Sequence, residues 1–154
     1  GSLFAAGQAG DRFAVRNSGA SAVVEGVGAH ACEYMTGGVV VVLGRTGYNF
    51  GAGMSGGVAF VLDEAGILPQ RANPGLVQLA RVTHRADSNL LRMLITRHAR
   101  LTGSDNARTI LNNWTSRLGL FWKIVPRSAV GSAGVRPLAR LDSAALELSR
   151  YVAG

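Results

Sequence analysis

The sequence predicts a mainly β chain, a parallel β-helix of about three coils followed by a C-terminal helical segment, and three observations carry that prediction. The stretch Met35-Thr36-Gly37-Gly38-Val39-Val40-Val41-Val42-Leu43-Gly44 returns nineteen residues later as Met54-Ser55-Gly56-Gly57-Val58-Ala59-Phe60-Val61-Leu62-Asp63. A fixed period near twenty is how stacked coils look in sequence. Fifteen of the 21 glycines lie at or before Gly66, so corner-forming residues are concentrated where the repeat is. Apolar residues at helical spacing begin only after Gly75.

Taken in order, the candidate strands are Phe13 to Arg16, Ala22 to Glu25, Cys32 to Met35, Val39 to Leu43, Tyr48 to Phe50 and Val58 to Leu62, with starts recurring about every nine residues. Two strands per turn of eighteen or nineteen residues would lay Ala22-Val23-Val24, Val39 to Val42 and Val58 to Val61 over one another as parallel neighbours. The alternate strands make the second face. Each coil must turn sharply, and glycine accepts positive φ or close backbone approach at the lowest cost. On that reading Gly19, Gly26, Gly28, Gly37, Gly38, Gly44, Gly47, Gly51, Gly53, Gly56 and Gly57 are structural corners.

Residues 1–66 are expected to hold the coils, 67–87 a linker, 88–126 a helical hairpin with a short extended piece, and 127–154 a tail. In the hairpin, Leu90, Leu91, Leu94, Ile95 and Leu101 share a face, with Asp87 or Ser88 as N-cap and Gly103 just past the end. The second helix starts from Ser104 or Asp105, carries Ala107, Ile110, Leu111, Trp114 and Leu118 on one stripe, and stops at Gly119. Both stripes need a surface to cover, and the open edge of the last coil needs covering, so the pair is expected to pack on or cap the stack. Phe121 to Val125 is extended and closed by Pro126, and Leu141 to Val152 has the spacing of a last helix.

Composition places the chain among packed globular proteins: 154 residues, 47% hydrophobic, mean hydropathy +0.19. No run approaches the roughly twenty apolar residues of a membrane span, so a soluble, cytoplasmic protein is expected, with no membrane partner. A lone cysteine, Cys32, fits a reducing compartment and reads as a small buried hydrophobe. The net charge of +7 divides unevenly: residues 1–66 hold three basic and five acidic groups, and the remainder carries the excess of arginine. Those arginines are scattered along helical patterns, and aromatic residues are only 6%, so no focused patch with stacking aromatics marks a nucleic-acid partner.

Several motifs match by letter and fail on context. Gly51-Ala52-Gly53-Met54-Ser55-Gly56 satisfies G-x-G-x-x-G, but a strand pattern follows where the dinucleotide fingerprint needs a helix N-terminus, so no cofactor-binding residue is assigned. His30 and Cys32 are two potential ligands where zinc wants three or four, and His84 and His98 lie in the other part, so no metal ligand is assigned. No nucleophile elbow is present, and no catalytic residue is assigned. Asn113-Trp114-Thr115 is a glycosylation sequon by letter only, inside an amphipathic helix.

Four segments in order carry a resemblance: Ala9 to Ala20, Val24-Glu25-Gly26-Val27-Gly28, Cys32-Glu33-Tyr34-Met35-Thr36-Gly37-Gly38, and Asn49-Phe50-Gly51-Ala52-Gly53-Met54-Ser55-Gly56-Gly57. Together they closely resemble the C-terminal GXGXG domain of the glutamate synthase large (alpha) subunit. Leu90-Leu91, Leu94-Ile95, His98, Leu101 to Ser104, Trp114, Phe121, Lys123 and Val125-Pro126 agree with the same family's ending. The resemblance covers roughly Leu3 to Pro126 and leaves out the tail. Ala29 stands where the family usually has aspartate, and Tyr48 where a basic residue is common.

The resemblance implies a right-handed β-helix at the end of an enzyme that makes two L-glutamate from L-glutamine and 2-oxoglutarate with two electrons. An amidotransferase domain and a synthase domain, with FMN and an iron–sulfur cluster, lie upstream in that family, and the electrons come from NADPH through a small subunit or from ferredoxin. One cysteine cannot hold a cluster, so the cofactors belong to the parent. The implied role is a non-catalytic spacer and docking domain. The family's domain has more coils, so further coils are expected upstream and the coil holding Phe13 to Arg16 is expected to present an unpaired edge. The alternative is a stand-alone β-helix assembly subunit resembling the GXGXG chain of formylmethanofuran dehydrogenase.

Overall fold

The computed structural model describes residues 1–127. Its strands and helices follow the order β1 (Ser2–Gln8), β2 (Ser18–Gly26), β3 (Thr36–Val42), β4 (Gly56–Leu62), α1 (Leu68–Arg71), β5 (Val77–Arg81), α2 (Arg85–Thr102), α3 (Asp105–Asn112), α4 (Trp114–Leu118) and β6 (Phe121–Pro126). The six strands form one sheet in the order β1-β2-β3-β4-β6-β5. The first four are parallel, paired as Val23 with Val41 and Val41 with Phe60, which is the coil-on-coil stacking of a β-solenoid of about three turns.

Why the strands read Val-Val-Val-Val rather than alternating follows from burial on both sides. Val23, Val39, Val41, Val58, Phe60 and Leu62 point to the helices, where they meet Leu90, Leu91, Leu94, Ile95 and Ile110. Val24, Val40, Val42, Ala59 and Val61 point into the coil interior against Ala31, Cys32, Met35, Phe50 and Met54. The sheet is therefore sandwiched between two apolar layers.

The alternate strands expected at Phe13 to Arg16, Cys32 to Met35 and Tyr48 to Phe50 are not strands. These residues form a ladder of turns in which Arg12, Ala14 and Arg16, then His30, Cys32 and Tyr34, then Asn49, Gly51 and Gly53 take positive φ between 55 and 73°. The spacing of apolar and polar letters is the same as a strand's, and it carries no information about the sign of φ. An L-residue in that conformation costs roughly 1 kcal/mol, and here the cost is met by bonds between coils. Arg12 N donates to Ala29 O at 2.8 Å, His30 N to Tyr48 O at 2.9 Å, Tyr34 N to Ala52 O at 2.9 Å and Gly51 N to Ala31 O at 2.8 Å.

Two further differences concern the ends. β1, outside the strands expected from sequence, pairs with β2 and belongs to the same first coil as Phe13 to Arg16, so the exposed edge expected of that coil runs along Ser2–Gln8. Residues 67–87, expected as linker, contain α1, β5 and the first turn of α2. The far side of β4 is closed by β6, antiparallel to β4, and then by β5. The helices lie across the outer face of the sheet rather than over its end.

α2 begins at Arg85 with His84 as N-cap, ahead of the Asp87 or Ser88 cap read from the sequence, and ends at Gly103 with φ 69°. Ser104 caps α3 by accepting from Ala107 N at 3.1 Å. The expected single helix over Ala107 to Leu118 is broken at Asn113, whose φ of −120° separates α3 from α4. The helix read over Leu141 to Val152 lies outside the described residues.

Candidate functional site

Two constructions stand out: a polar latch that fixes the helices to the coils, and the turn ladder with its exposed side chains. The latch centres on Glu25 at the end of β2. His98 Nε2 lies 3.0 Å from Glu25 Oε1, Ser104 Oγ donates to the same oxygen, and Asn106 Nδ2 donates to Oε2 at 2.8 Å and to Leu43 O at 3.3 Å. Three residues from α2, the α2–α3 junction and α3 thus converge on one carboxylate from the sheet. Burial alone would raise the Glu25 carboxyl, but the hydrogen bonds from Ser104, His98 and Asn106 outweigh it and hold the group below its ordinary value.

A second polar tie lies further along. Lys123 Nζ of β6 sits 2.7 Å from Asp87 Oδ2 of α2, with Asp87 almost fully buried. Asp63 closes the last coil by accepting from Ile67 N, Leu68 N and Trp122 Nε1 at 3.0, 3.1 and 3.1 Å. The Lys123–Asp87 pair and the Trp122–Asp63 bond join elements distant in sequence, while the Ile67 and Leu68 bonds to Asp63 are local. Each carboxylate is a buried charge, so its partners are required rather than optional.

On the turn ladder, the side chains of Arg12, Arg16, Tyr34, Tyr48 and Asn49 are exposed. Asp11 Oδ1 accepts from Ala29 N at 2.8 Å, and His30 Nδ1 lies 2.6 Å from Glu33 Oε1. Elsewhere, a cleft of about 540 Å³ runs along α2, bordered by Arg92, Met93, Arg97 and Arg100. Among the described residues no helix is long and apolar enough to cross a membrane.

The glycines singled out from sequence occupy different surroundings. A Cβ on Gly56, Gly44, Gly47 or Gly37 would lie 2.1 to 2.6 Å from backbone of the preceding coil, at Thr36 O, Glu25 O, Ala29 N and Ser18 O respectively. Gly38 and Gly57 combine such crowding with φ of 92 and 78°. At Gly28 the near neighbour is the Asp11 carboxylate, 2.0 Å away, and at Gly53 it is the Tyr34 ring. Gly51 has φ 73° and faces Val77 and Met54, Gly26 meets the flexible Gln8 side chain with Arg45 O at ordinary contact distance, and Gly19 has open space around it.

The residues weighed as ligands are not brought together: His30 pairs with Glu33, His98 with Glu25, and Cys32 is buried in the coil interior. Burial pushes the Cys32 thiol up to about 12, the opposite of what a thiolate ligand needs. No group of three metal-binding side chains occurs among the described residues. Gly56 opens strand β4, so the G-x-G-x-x-G segment leads into a sheet with no helix N-terminus to receive a phosphate. These residues do not fit an iron–sulfur cluster or a flavin phosphate. The latch escaped the sequence reading except for the Ser104 cap, because nothing local joins Glu25 to residues 73 to 81 positions away.

With that geometry in view, the family model described as "GXGXG motif" matches residues 1–127. The chain belongs to the GXGXG family. This GXGXG domain is 55% identical over 128 residues to a protein named ferredoxin-dependent glutamate synthase 2 of Synechocystis sp.. It is 58% identical to ferredoxin-dependent glutamate synthase of Pyropia yezoensis and 55% to ferredoxin-dependent glutamate synthase 1, chloroplastic/mitochondrial, of Arabidopsis thaliana. In each case the match takes in 83% of the chain and only 8% of the relative's length. The GXGXG domain corresponds to a small part of much longer proteins.

Proposed function

We propose that this GXGXG domain is the non-catalytic docking and spacing part of a glutamate synthase, the parent making two L-glutamate from L-glutamine and 2-oxoglutarate with two electrons. The observation that carries the reading is the identity of 55 to 58% to stretches forming 8% of ferredoxin-dependent glutamate synthases. Its partners are the amidotransferase and synthase domains of the parent, which it holds in register, and neither nucleic acid nor membrane is among them. FMN and the iron–sulfur cluster belong to the parent, consistent with a coil interior filled by valine, alanine and other apolar side chains. Ferredoxin is the electron donor that the relatives' names favour over NADPH with a small subunit. The location is cytoplasmic, or plastidic in an organism arranged like the relative named chloroplastic.

The solenoid suits this role physically. Each coil bonds the next along both the strands and the turn ladder, and the latch fixes the helices on the outer face, so the domain transmits position without internal play. The complete natural chain, assayed with glutamine, 2-oxoglutarate and reduced ferredoxin, is expected to form glutamate. A complete chain that lacks amidotransferase and synthase segments, or that forms no glutamate with any electron donor, contradicts the proposal.

A further inference from the structure

We infer that the turn face of the coils, carrying Tyr34 and Tyr48 with Arg12 and Arg16, is the surface on which the domain docks a folded protein partner that presents carboxylates. The inference builds on the docking role proposed above and names the face and the partner's chemistry.

The ladder fixes these side chains before any partner arrives. Arg12, Arg16, Tyr34 and Asn49 all hold φ between 55 and 62°, a conformation that a mobile loop of ordinary residues would abandon. It is kept by main-chain bonds from coil to coil, among them Arg16 N to Glu33 O at 2.8 Å and Asn49 N to Arg71 O at 3.1 Å. The Tyr34 ring lies against Gly53, where any Cβ would come within 2.5 Å of its Cε1. Tyr48 lies under the Arg71 guanidinium, 5.3 Å from the ring centroid, and Arg71 is itself anchored to Thr46 O.

Both rings nevertheless remain open to solvent, Tyr34 at 58% and Tyr48 at 64%. Two large amphipathic side chains held rigid and exposed lose little freedom on binding, which is the character of interface anchors. Charge then selects the partner. The acids of this face are already engaged, Asp11 with Ala29 N and Glu33 with His30. Arg12 and Arg16 enter no salt bridge among the described residues, and with Arg71 beside Tyr48 the face carries three guanidinium groups against two carboxylates, an excess suited to paired recognition of carboxylates. Three arginines without a longer basic stripe are too few to follow a phosphate backbone.

The test uses the complete natural chain, purified, with the photoreactive residue p-benzoylphenylalanine in place of Tyr48 and, as a control, in place of the exposed Ser116 of α4. The expected product at Tyr48 maps to a protein segment carrying clustered Asp and Glu, in the same chain or a companion subunit. Its yield is expected to fall at least about fivefold in an Arg12→Glu, Arg16→Glu background; Arg12→Gln, Arg16→Gln serves if the reversal disturbs folding. A yield no higher than at Ser116, a product on nucleic acid or on a surface without carboxylates, or a yield indifferent to both arginine pairs overturns the inference. A crosslink into an amidotransferase or synthase segment supports both this and the proposed function. An acidic surface of an unrelated protein supports the docking face and counts against glutamate synthase as the parent.

Discussion

His98 of α2 and Glu25 at the end of β2, 73 residues apart, meet with Nε2 3.0 Å from Oε1. The histidine is fully buried and its carboxylate partner is partly buried, so helices and coils are tied where the contact is partly shielded from water. The Glu25 carboxyl is held below its ordinary 4.5, since its hydrogen bonds outweigh the effect of burial. A depressed carboxyl stabilises the folded state above the ordinary value, and that contribution is lost as pH falls through 4.5 and below. Glu25→Gln is expected to lower Tm by about 4 °C at pH 7. The deficit is expected to shrink toward pH 3 in scanning calorimetry, whereas a constant deficit would mean that the latch does not depend on the ionised carboxylate.

Asp87 and Lys123 supply a second test of how the helices are held. Removing one member of a buried pair leaves a charge without a partner, so Asp87→Ala is expected to cost about 3 kcal/mol in urea unfolding followed by Trp114 and Trp122 fluorescence. The apolar double replacement Asp87→Leu, Lys123→Met is expected to recover most of that loss. If the double variant is no better than the single one, the apolar packing at this site has been misjudged.

The coil corners separate into crowded and open positions, and the difference is measurable. Gly56→Ala drives a Cβ to 2.1 Å from Thr36 O, and Gly38→Ala meets Ala20 O at 2.3 Å with φ at 92°. Each is expected to cost more than about 2 kcal/mol. Gly19→Ala, with nothing within 4 Å, is expected to change stability by no more than about 0.5 kcal/mol. Equal effects at the three sites in denaturant titrations would refute a corner role based on close approach.

Much of this was legible in the sequence because the period is a property of the chain. Val39 to Val42 and Val58 to Val61 repeat at the spacing by which the strands pair, Val39 with Val58 and Val40 with Ala59. Gly103 and the Ser104 cap were legible because capping is local. The turn ladder was not, since Arg12, Ala14 and Arg16 are ordinary residues whose left-handed conformation is imposed by the neighbouring coil. β5 and β1 escaped for a related reason: Val77–Arg81 is short, Ser2–Gln8 has no β-branched residue, and both become strands only through β6 and β2. The same holds for the latch, where Glu25 finds its partners only after the helices dock.

Cys32 reports on the coil interior. Its thiol is fully buried and pushed up to about 12, so iodoacetamide at pH 8 is expected to leave it unmodified in the native chain. Labelling is expected to appear in step with the urea unfolding transition. Rapid labelling without denaturant would show that the coils open locally.

The most direct test of a docking role without chemistry is the ratio of glutamine hydrolysed to 2-oxoglutarate consumed in the complete natural chain, with His98→Ala against wild type. The account predicts that wild type uses the two in equal amounts, while the variant hydrolyses glutamine in excess because released ammonia is no longer delivered. FMN and iron content, and glutamate formation from added ammonia, are predicted to stay within about twofold of wild type. Loss of FMN, or loss of ammonia-dependent synthesis with the ratio unchanged, would contradict the account by placing this domain in the chemistry itself.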